Sequence, residues 1–454
     1  MRRGTFAHHE FHRFAAGTRS WKPVPVVMLD ASASPRREFT ARYFVESADP
    51  LQKVAEIIAG EQSTGTFLEL PGETVEVKQR ARARVLRIEP QAPAFTPSLD
   101  SALLQRRGEG GLYHRGEIEI AFPVDNVRGN LPTLLATVAG NLYELGELTG
   151  IRLLDLDLSE DHARSFPGSR CGVQGTRARA GVNGRALIGT IIKPSIGLNP
   201  QQVASLVDHL LAGGIDFIKD DELSADSAHA PFEQRLQAVM PVLHRHADRL
   251  GRMPMYAINL SGTIDEMLRR HDMVVRAGGT CVMVTINCIG PAALMHLRER
   301  CELPIHGHRA GWGALTRHPG LGWGFDAYQK IWRLAGVDQI HVGGLHGKFS
   351  ESDAAVAASG RACLRSFAGL PPVMPVFSSG QWAAHAPALY EAIGSVDLMH
   401  LAGGGIVAHP QGIAAGVASM REAWEAATQG QALDAYASSR PALRAALDKF
   451  GSLA

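Results

Sequence analysis

The stretch ALIGTIIKPSIGLNPQQVASLVDHLLAGGIDFIKDDE, residues 186–222, decides the fold. A β-branched apolar run leads into turn residues and then, after Asn199-Pro200, into an amphipathic segment. Gly213-Gly214 ends that segment just before a second apolar run. Asn and Pro are preferred where a helix begins, and glycine is preferred just beyond its end. The stretch therefore predicts a strand, a helix and a strand, which is the unit of a parallel βα array.

The same unit recurs toward the end of the chain. Eight short apolar runs are each followed by turn residues and a helical pattern, and they cover residues 187–193, 216–220, 255–260, 281–287, 303–309, 339–343, 373–378 and 398–402. Eight is the number of strands at which such a parallel sheet closes. The pattern therefore favours a (β/α)8 TIM barrel over its structural rival, a doubly wound open sheet.

The segment before the barrel follows a different pattern. Residues 1–37 are predicted as a polar N-terminal extension, and residues 38–155 mix alternating and helical periods, which predicts an α+β domain. Its predicted strands are 39–44, 75–88 and 117–122, and its predicted helices are 50–59 and 131–145. The barrel domain, with its C-terminal helices, is predicted over 156–454, and its first residues, 157–183, are Gly- and Arg-rich and predicted as a connector.

Composition excludes several classes of function. The 46 Lys and Arg residues balance 45 Asp and Glu, so a net charge of +1 provides no field to recruit nucleic acid or an anionic membrane. No apolar stretch approaches the roughly 18 residues of a membrane helix, and histidines stand where a secretory signal has its apolar core. Five cysteines without disulfide or zinc spacing are typical of a reduced compartment. We therefore expect a cytoplasmic protein that acts on a small molecule.

Active sites of (β/α)8 barrels lie at the C-terminal ends of the strands. A single polar residue at a strand end is usually a turn residue, but here all eight predicted strands end in polar or glycine residues, which predicts a catalytic site. These ends are Lys193, Lys219 to Glu222, Asn259, Asn287, His306 to Arg309, His341, Ser378 to Gly380 and Gly403 to Gly405.

The second of these ends, Lys219-Asp220-Asp221-Glu222, carries the most specific chemistry. Lys219 and Asp221 share a face of the extended run, and Asp221 and Glu222 offer the hard oxygen ligands that Mg²⁺ prefers. A lysine beside them has the wrong charge unless carbon dioxide carbamylates its amine, which makes Lys219 an N6-carboxylysine and a third oxygen ligand. The simpler alternative is a salt bridge between Lys219 and Asp221, which leaves Glu222 without a role.

The later loops predict phosphate and lid chemistry. Residues 378–380 and 403–405 place backbone N–H groups near helix starts, which is a common way to hold phosphate, although a triple glycine equally fits a tight turn. Residues 343–348, GGLHGK, follow the sixth strand and predict a mobile lid with Lys348 at its tip. The alternative is that Lys348 is a simple surface charge.

Residues 39–426 resemble the large subunit of ribulose-bisphosphate carboxylase/oxygenase (RuBisCO). The motifs that carry the resemblance are GTIIKP (189–194), GGIDFIKDDE (213–222), HGHRA (306–310), DQIHVGGLHGK (338–348), MPVFSSG (374–380), AGGGIVAHPQG (402–412), EQSTGT (61–66) and GN (140–141).

The resemblance implies a role for each of these positions. One Mg²⁺ per subunit would be bound by carbamylated Lys219, Asp221 and Glu222. The catalytic set would be Lys193 as acid/base, His308 and His341 as polar and anion contacts, and Lys348 as the lid lysine that meets a carboxylate. Arg309 would be an anion clamp, and Ser378, Ser379, Gly380, Gly403 and Gly404 would form the phosphate loops. Glu61, Thr66 and Asn141 would reach the site from the partner subunit, which implies an obligate homodimer.

Departures from the family pattern argue against ribulose bisphosphate carboxylation and for a RuBisCO-like (form IV) protein. They are Ser195 in place of the second lysine of KPK, Ile191 in place of threonine, Phe67 in place of tryptophan, Trp312 in place of histidine, and Ser379 within the SGG motif. Because Lys193 and Lys348 remain, we favour a reaction that handles a carboxylate through an enediolate.

The lead prediction is a Mg²⁺-dependent carbon–carbon lyase, a decarboxylase or transcarboxylase/hydrolase. Its expected substrate is a phosphorylated β-keto sugar acid such as 3-oxo-isoapionate 4-phosphate of apiose catabolism. One alternative is an enolase or isomerase of a phosphorylated ketose in methionine salvage. The other is a catalytically silent binding protein.

Overall fold

A five-stranded sheet forms the N-terminal part of the computed structural model, which describes residues 37–65, 70–108 and 110–451. The strand order is β10-β4-β1-β3-β2. Strands β1 to β4 pair with one another in antiparallel fashion, and the edge strand β10 (Leu321–Trp323) pairs with β4 in parallel. Alternate residues of β1 are buried, as expected for a strand with one face on a core. The four strands are β1 (Glu38–Ser47), β2 (Arg84–Ala94), β3 (Tyr113–Pro123) and β4 (Leu148–Asp157).

Helices α1 (Leu51–Glu61), α2 (Val75–Ala81), α3 (Ala102–Arg107) and α4 (Leu131–Ala139) connect these strands. The predicted strand 75–88 was wrong in its first half, because residues 75–81 form α2. The Thr74 hydroxyl accepts a hydrogen bond from the Val77 N–H and caps this helix. The predicted extension, residues 1–37, lies outside the described residues except for Arg37.

The predicted connector, residues 157–183, is also more regular than expected. It contains the last residue of β4 and two helices, α5 (Glu160–Ala163) and α6 (Gly172–Ala180). Buried Asp338 holds the start of α6, because one of its carboxylate oxygens accepts from three consecutive backbone N–H groups, those of residues 170–172, at 2.7–3.0 Å. The order of this segment therefore depends on a residue far along the chain.

Eight parallel strands close into a barrel in the order β11-β12-β13-β5-β6-β7-β8-β9, which confirms the predicted fold class. The strands are β5 (Leu187–Ile191), β6 (Phe217–Lys219), β7 (Met255–Asn259), β8 (Cys281–Thr285), β9 (Ile305–His308), β11 (Gln339–Gly343), β12 (Met374–Phe377) and β13 (Met399–Leu401). Leu187, Phe217, Met255 and Met399 are among the side chains that fill the interior. The barrel is therefore a packed core with its chemistry at one end.

Helices surround the barrel and close the C-terminal end of the chain. They are α7 (Pro200–Ala212), α8 (Phe232–Leu250), α9 (Ile264–Arg276), α10 (Ile286–Arg300), α11 (Trp312–Thr316), α12 (Phe325–Ala335), α13 (Asp353–Leu364), α14 (Ala386–Ile393), α15 (Gly404–Val407), α16 (Ile413–Thr428), α17 (Leu433–Ala437) and α18 (Pro441–Phe450). Within the described ranges, every helix falls short of the length and apolarity needed to cross a membrane. All five cysteines are described, and none forms a disulfide.

Strand β10 (Leu321–Trp323) joins the two parts of the fold. It comes from the barrel half of the chain, between β9 and β11, but pairs in parallel with β4 of the N-terminal sheet. The Ile151 N–H donates to the Gly320 carbonyl at 2.7 Å just before this pairing. The loop after β9, which lines the mouth of the barrel, is thereby held against the N-terminal sheet.

Candidate active site

A cavity of about 1820 Å³ opens at the C-terminal ends of the barrel strands. Every barrel residue to which the resemblance assigned a role lines this cavity, whereas the predicted strand-end residues Asn259, Asn287 and His306 do not. The residues with an assigned role are Lys193, Lys219, Asp221, Glu222, His308, Arg309, His341, Lys348, Ser378, Ser379, Gly380, Gly403 and Gly404.

Lys219 lies at the floor of the cavity and is fully buried. Its amine donates to the backbone carbonyl of Asp220 at 2.8 Å, and the nearest oxygen of Glu222 is 3.9 Å away. Burial lowers the pKa of Lys219 to about 8, although the neighbouring carboxylates oppose this shift. The alternative of a Lys219–Asp221 salt bridge is not what the structure forms, since the described ion pair of Asp221 is with Lys193.

Lys193 reaches the same carboxylate from the end of β5. Its ammonium is 2.6 Å from Asp221 Oδ2 and donates to the Ser195 hydroxyl at 2.7 Å. Burial acts to raise the pKa of Asp221, but the Lys193 hydrogen bond, the Leu223 N–H and the two lysine charges outweigh it, so the pKa lies below its ordinary value. Asp221 is therefore an anion between two lysines.

Asp220 faces away from the cavity because successive side chains of an extended run point to opposite sides. Its carboxylate accepts from the Tyr256 hydroxyl at 2.5 Å and from the Asn259 N–H at 3.0 Å. Arg235 is 3.1 Å from the same carboxylate. The Asn259 side chain in turn donates to the backbone carbonyl of Asp221 at 3.1 Å. Asp220 and Asn259 therefore hold the loop that presents Asp221, a role that sequence reasoning missed for Asp220.

Asn287 is not at a strand end, contrary to the prediction, because β8 stops at Thr285 and Asn287 lies in α10. Its side chain donates to the Ala310 carbonyl at 2.8 Å and accepts from the Tyr328 hydroxyl at 2.9 Å. These contacts support the loop after β9. Asn287 is thus a structural residue in this fold.

His308 and His341 lie side by side, with ring centroids 4.5 Å apart. His308 Nε2 is 3.3 Å from the Glu222 carboxylate. Burial lowers the pKa of both histidines well below its ordinary value, and the positive charge of Lys219 lowers it further. Both rings are therefore neutral near pH 7 and contribute hydrogen bonds rather than positive charge.

Arg309 is already paired with a carboxylate. Its guanidinium forms two contacts with Glu351, at 2.5 and 3.3 Å, and the Trp312 indole N–H donates to the same carboxylate at 2.9 Å. Arg309 also lies over the rings of Trp312 and Phe325, and its exposed fraction is 7%. Glu351, which the sequence did not identify, therefore occupies the position where the resemblance implied an anion from the substrate.

The two predicted phosphate loops, which follow β12 and β13, meet at the mouth of the barrel. Ser379 and Gly380 have positive φ angles of 83° and 74°. A Cβ at Gly405 would come within 2.8 Å of the Gln381 carbonyl, so glycine there allows the loops to touch. The Ile406 N–H donates to the Gly403 carbonyl. The N–H groups of Gly403 and Gly404, which come earlier in the sequence, have no acceptor in the part of the chain that the structure describes.

The segment after β11 crosses the rim above these loops. Its position is fixed by Gln381, whose side-chain amide donates to the Leu345 carbonyl at 2.9 Å. Lys348 is exposed at the cavity rim, and its ammonium lies 5.4 Å from the centroid of the Phe349 ring. Sequence reasoning did not identify the aromatic residues Phe349, Trp382 and Phe450 that line this side of the cavity.

Two of the three residues predicted to come from a partner subunit, Glu61 and Asn141, do not line the cavity of their own chain. Glu61 and Asn141 are both exposed in the N-terminal part of the structure. They lie near each other because the residues next to them in sequence are in contact. The Gln62 amide, in the orientation that satisfies its hydrogen bonds, donates to Thr137 O at 2.8 Å and accepts from Leu142 N at 3.3 Å. Thr66 lies outside the described residues.

Two family models match the chain. The ribulose bisphosphate carboxylase large chain, catalytic domain, matches residues 172–450, and the N-terminal domain of the same large chain matches residues 33–161.

Relatives with assigned activities align with about nine-tenths of this chain. The chain is 50% identical over 409 residues to the 3-oxo-isoapionate-4-phosphate transcarboxylase/hydrolase of Xanthobacter autotrophicus, covering 90% of this chain and 98% of the relative. It is 42% identical over 416 residues to the 3-oxo-isoapionate-4-phosphate decarboxylase of Rhizobium etli, again covering 90% and 98%. A crystal structure of a rubisco-like protein from Burkholderia fungorum superposes with a TM-score of 0.86 at 47% identity, covering 91% of this chain and 99% of that chain.

Proposed function

The chain belongs to the ribulose bisphosphate carboxylase large-chain family, and from this premise we propose that it breaks a carbon–carbon bond in a phosphorylated β-keto sugar acid. The names of two relatives indicate 3-oxo-isoapionate 4-phosphate as the substrate. We further propose that the reaction requires Mg²⁺ and a carbamylated Lys219, and that the enzyme is a cytoplasmic homodimer.

The observation that carries this proposal is the placement of Lys219. Its amine is fully buried, donates to a backbone carbonyl and is 3.9 Å from the nearest described carboxylate oxygen, so its charge is poorly compensated. An ammonium in such a place is costly, whereas a neutral amine can add to carbon dioxide. With a pKa lowered to about 8, a useful fraction of the amine is neutral near pH 7.

The residues present fit a magnesium ion once that carbamate exists. Among the described residues, no group of three His, Cys, Asp or Glu side chains is arranged to hold a metal. Asp221 and Glu222 supply two hard ligands, and the carbamate on Lys219 would supply the third oxygen. When bound, Mg²⁺ would act as a Lewis acid that stabilises negative charge developing on the substrate's oxygens.

Lys193 is placed to move a proton at the reacting carbon. When the substrate carboxylate leaves as carbon dioxide, the electron pair of the broken bond is delocalised into the adjacent ketone, which gives an enediolate. The ammonium of Lys193, held by Asp221 and Ser195 at the cavity wall, can then supply the proton that returns this electron pair to carbon.

The two ends of the substrate would be bound by different loops at the mouth of the barrel. The backbone N–H groups of Gly403 and Gly404, with those of Ser379 and Gly380, suit one phosphate. Glu351 neutralises Arg309, which lies just after β9, and would repel a second phosphate. This charge arrangement supports a monophosphate over a bisphosphate substrate.

The exposed patch formed by Glu61 and Asn141 supports the homodimer. If these residues act in catalysis, a second copy of the chain must bring them to the cavity, since they do not line it in their own chain. We therefore propose that each cavity is completed by the N-terminal domain of the partner.

Turnover of 3-oxo-isoapionate 4-phosphate, followed by phosphorus NMR and release of carbon dioxide with and without Mg²⁺, tests the proposal. We expect Mg²⁺-dependent loss of substrate for the wild type and none for Lys219→Ala, with Lys53→Ala, a surface lysine on α1, as the control. Free carbon dioxide indicates a decarboxylase, whereas its retention in a cleaved product indicates a transcarboxylase/hydrolase. Isomerisation of a phosphorylated ketose without cleavage of this acid would contradict the proposal.

A further inference from the structure

A chain of four buried side chains runs from the cavity into the barrel interior. The Ser378 hydroxyl is 2.9 Å from His341 Nδ1, and His341 Nε2 is 3.0 Å from His306 Nε2. His306 Nδ1 is 3.0 Å from Gln339 Oε1. Of these four residues, Ser378 and His341 line the cavity, while His306 and Gln339 are fully buried behind them.

Gln339, the innermost of these four hydrogen-bonded side chains, determines the position of every proton between them. The amide oxygen of Gln339 can only accept, so His306 Nδ1 must carry a proton. Burial lowers the pKa of His306 to about 3 and that of His341 well below its ordinary value, so each ring carries a single N–H near pH 7. His306 Nε2 is therefore an acceptor, His341 Nε2–H donates to it, and His341 Nδ1 accepts from the Ser378 hydroxyl.

The surroundings of Gln339 fix the direction of this chain. Its amide nitrogen is 3.2 Å from the Thr176 hydroxyl and 3.7 Å from the thioether sulfur of Met255. A thioether can only accept a hydrogen bond, so the NH₂ group must face Met255 and the amide oxygen must face His306. A reversed amide would reverse every donor and acceptor up to Ser378.

We propose that Gln339 and His306 are positioning residues that act through His341 to make the Ser378 oxygen an acceptor toward the cavity. Because its proton points inward, Ser378 receives a hydrogen bond from a substrate hydroxyl and does not donate to the phosphate. The side chain of Ser378 is therefore not part of the phosphate site, and the predicted phosphate loop binds phosphate through its backbone alone. The identity of the substrate in this inference rests on the proposed function. The positions of the protons do not depend on it.

Neutron diffraction from a deuterium-exchanged crystal of the wild-type protein tests the proton order directly. We expect deuterium on His306 Nδ1, on His341 Nε2 and on the Ser378 oxygen along the line to His341 Nδ1. Deuterium on His341 Nδ1, or a Ser378 deuterium directed into the cavity, overturns the proposal. This measurement needs no variant to fold and no substrate to be turned over, so it stands even if the proposed function fails.

A double-mutant cycle tests whether Gln339 acts through Ser378. Gln339→Leu should lower kcat/KM about tenfold, through KM, because about one buried hydrogen bond to the substrate is lost. In a Ser378→Ala background the same substitution should change kcat/KM less than about twofold, because the contact it controls is already gone. Gln329→Leu, a buried glutamine on α12, is the control and should leave kcat/KM unchanged. An undiminished effect of Gln339→Leu in the Ser378→Ala background would show that Gln339 has only a structural role.

Discussion

Replacement of the lid lysine, Lys348→Met, distinguishes a reaction that handles a carboxylate from one that does not. Methionine keeps most of the side-chain volume and removes the charge. Lys348 is exposed at the rim and makes no described ion pair, so its loss should leave the fold and Mg²⁺ binding intact. We expect the change to appear in the turnover of the keto acid.

The expected size follows from where the ammonium lies during the reaction. An ammonium about 4 Å from a carboxylate contributes about 1 kcal/mol in water and about 4 kcal/mol at the dielectric of a partly closed site. Each ~1.4 kcal/mol is a factor of ten in rate. In the exposed position of this structure, about 1 kcal/mol corresponds to a loss of about fivefold. The full value of about 4 kcal/mol corresponds to nearly 10³-fold, so for a segment that closes over the cavity the loss would be roughly 10²-fold or more. We expect the larger value.

The assay is carbon dioxide release at saturating substrate, with Mg²⁺ affinity measured separately. Arg317→Met is the matched control, because Arg317 is an exposed cation on the rim of the same cavity. If Arg317→Met slows the reaction as much as Lys348→Met, the general positive potential of the rim explains the effect. Near-wild-type turnover of Lys348→Met would refute the reasoning and favour the enolase or isomerase alternative.

Three further predictions concern assembly and stability. Mixing inactive Glu61→Gln with inactive Lys219→Ala chains should restore part of the activity through hybrid dimers, and full activity of a verified monomer would contradict this. Asp338→Ala should lower the free energy of unfolding by about 3–5 kcal/mol in urea titrations, because it leaves the fully buried Arg298 without its 2.6 Å partner; a loss below about 1 kcal/mol would be inconsistent with this. Burial acts to raise the pKa of Glu46, but hydrogen bonds from Ser98, Thr149 and Arg115 hold that pKa below its ordinary value. The stability that Glu46 contributes is therefore present above pH ~4.3 and is lost as the pH falls through the pKa of the folded state. The difference in melting temperature between wild type and Glu46→Gln should therefore shrink on acidification, and a constant difference would count against this assignment.

The barrel could be predicted because its signals are local. Each strand is a short apolar run with its own turn residues, and helices such as α7 begin and end at residues with the expected preferences, Asn199 and Gly213. The N-terminal sheet was predicted less well. Val75 and Val77 alternate as in a strand, but the cap provided by Thr74 makes the segment a helix. Strand β10 has only three residues and forms because β4 lies beside it, so no local sequence pattern predicts this strand.

The sequence alone determined which chemical groups are present at the mouth, because the period of an extended run sends Lys219 and Asp221 to the same side. Only the tertiary structure decided how their charges are shared. Lys193 pairs with Asp221 across 28 residues of sequence, and Arg309 pairs with Glu351 across 42. The strength of such pairs depends on separation in space and on burial, and neither quantity is encoded in the local pattern of residues around each charge.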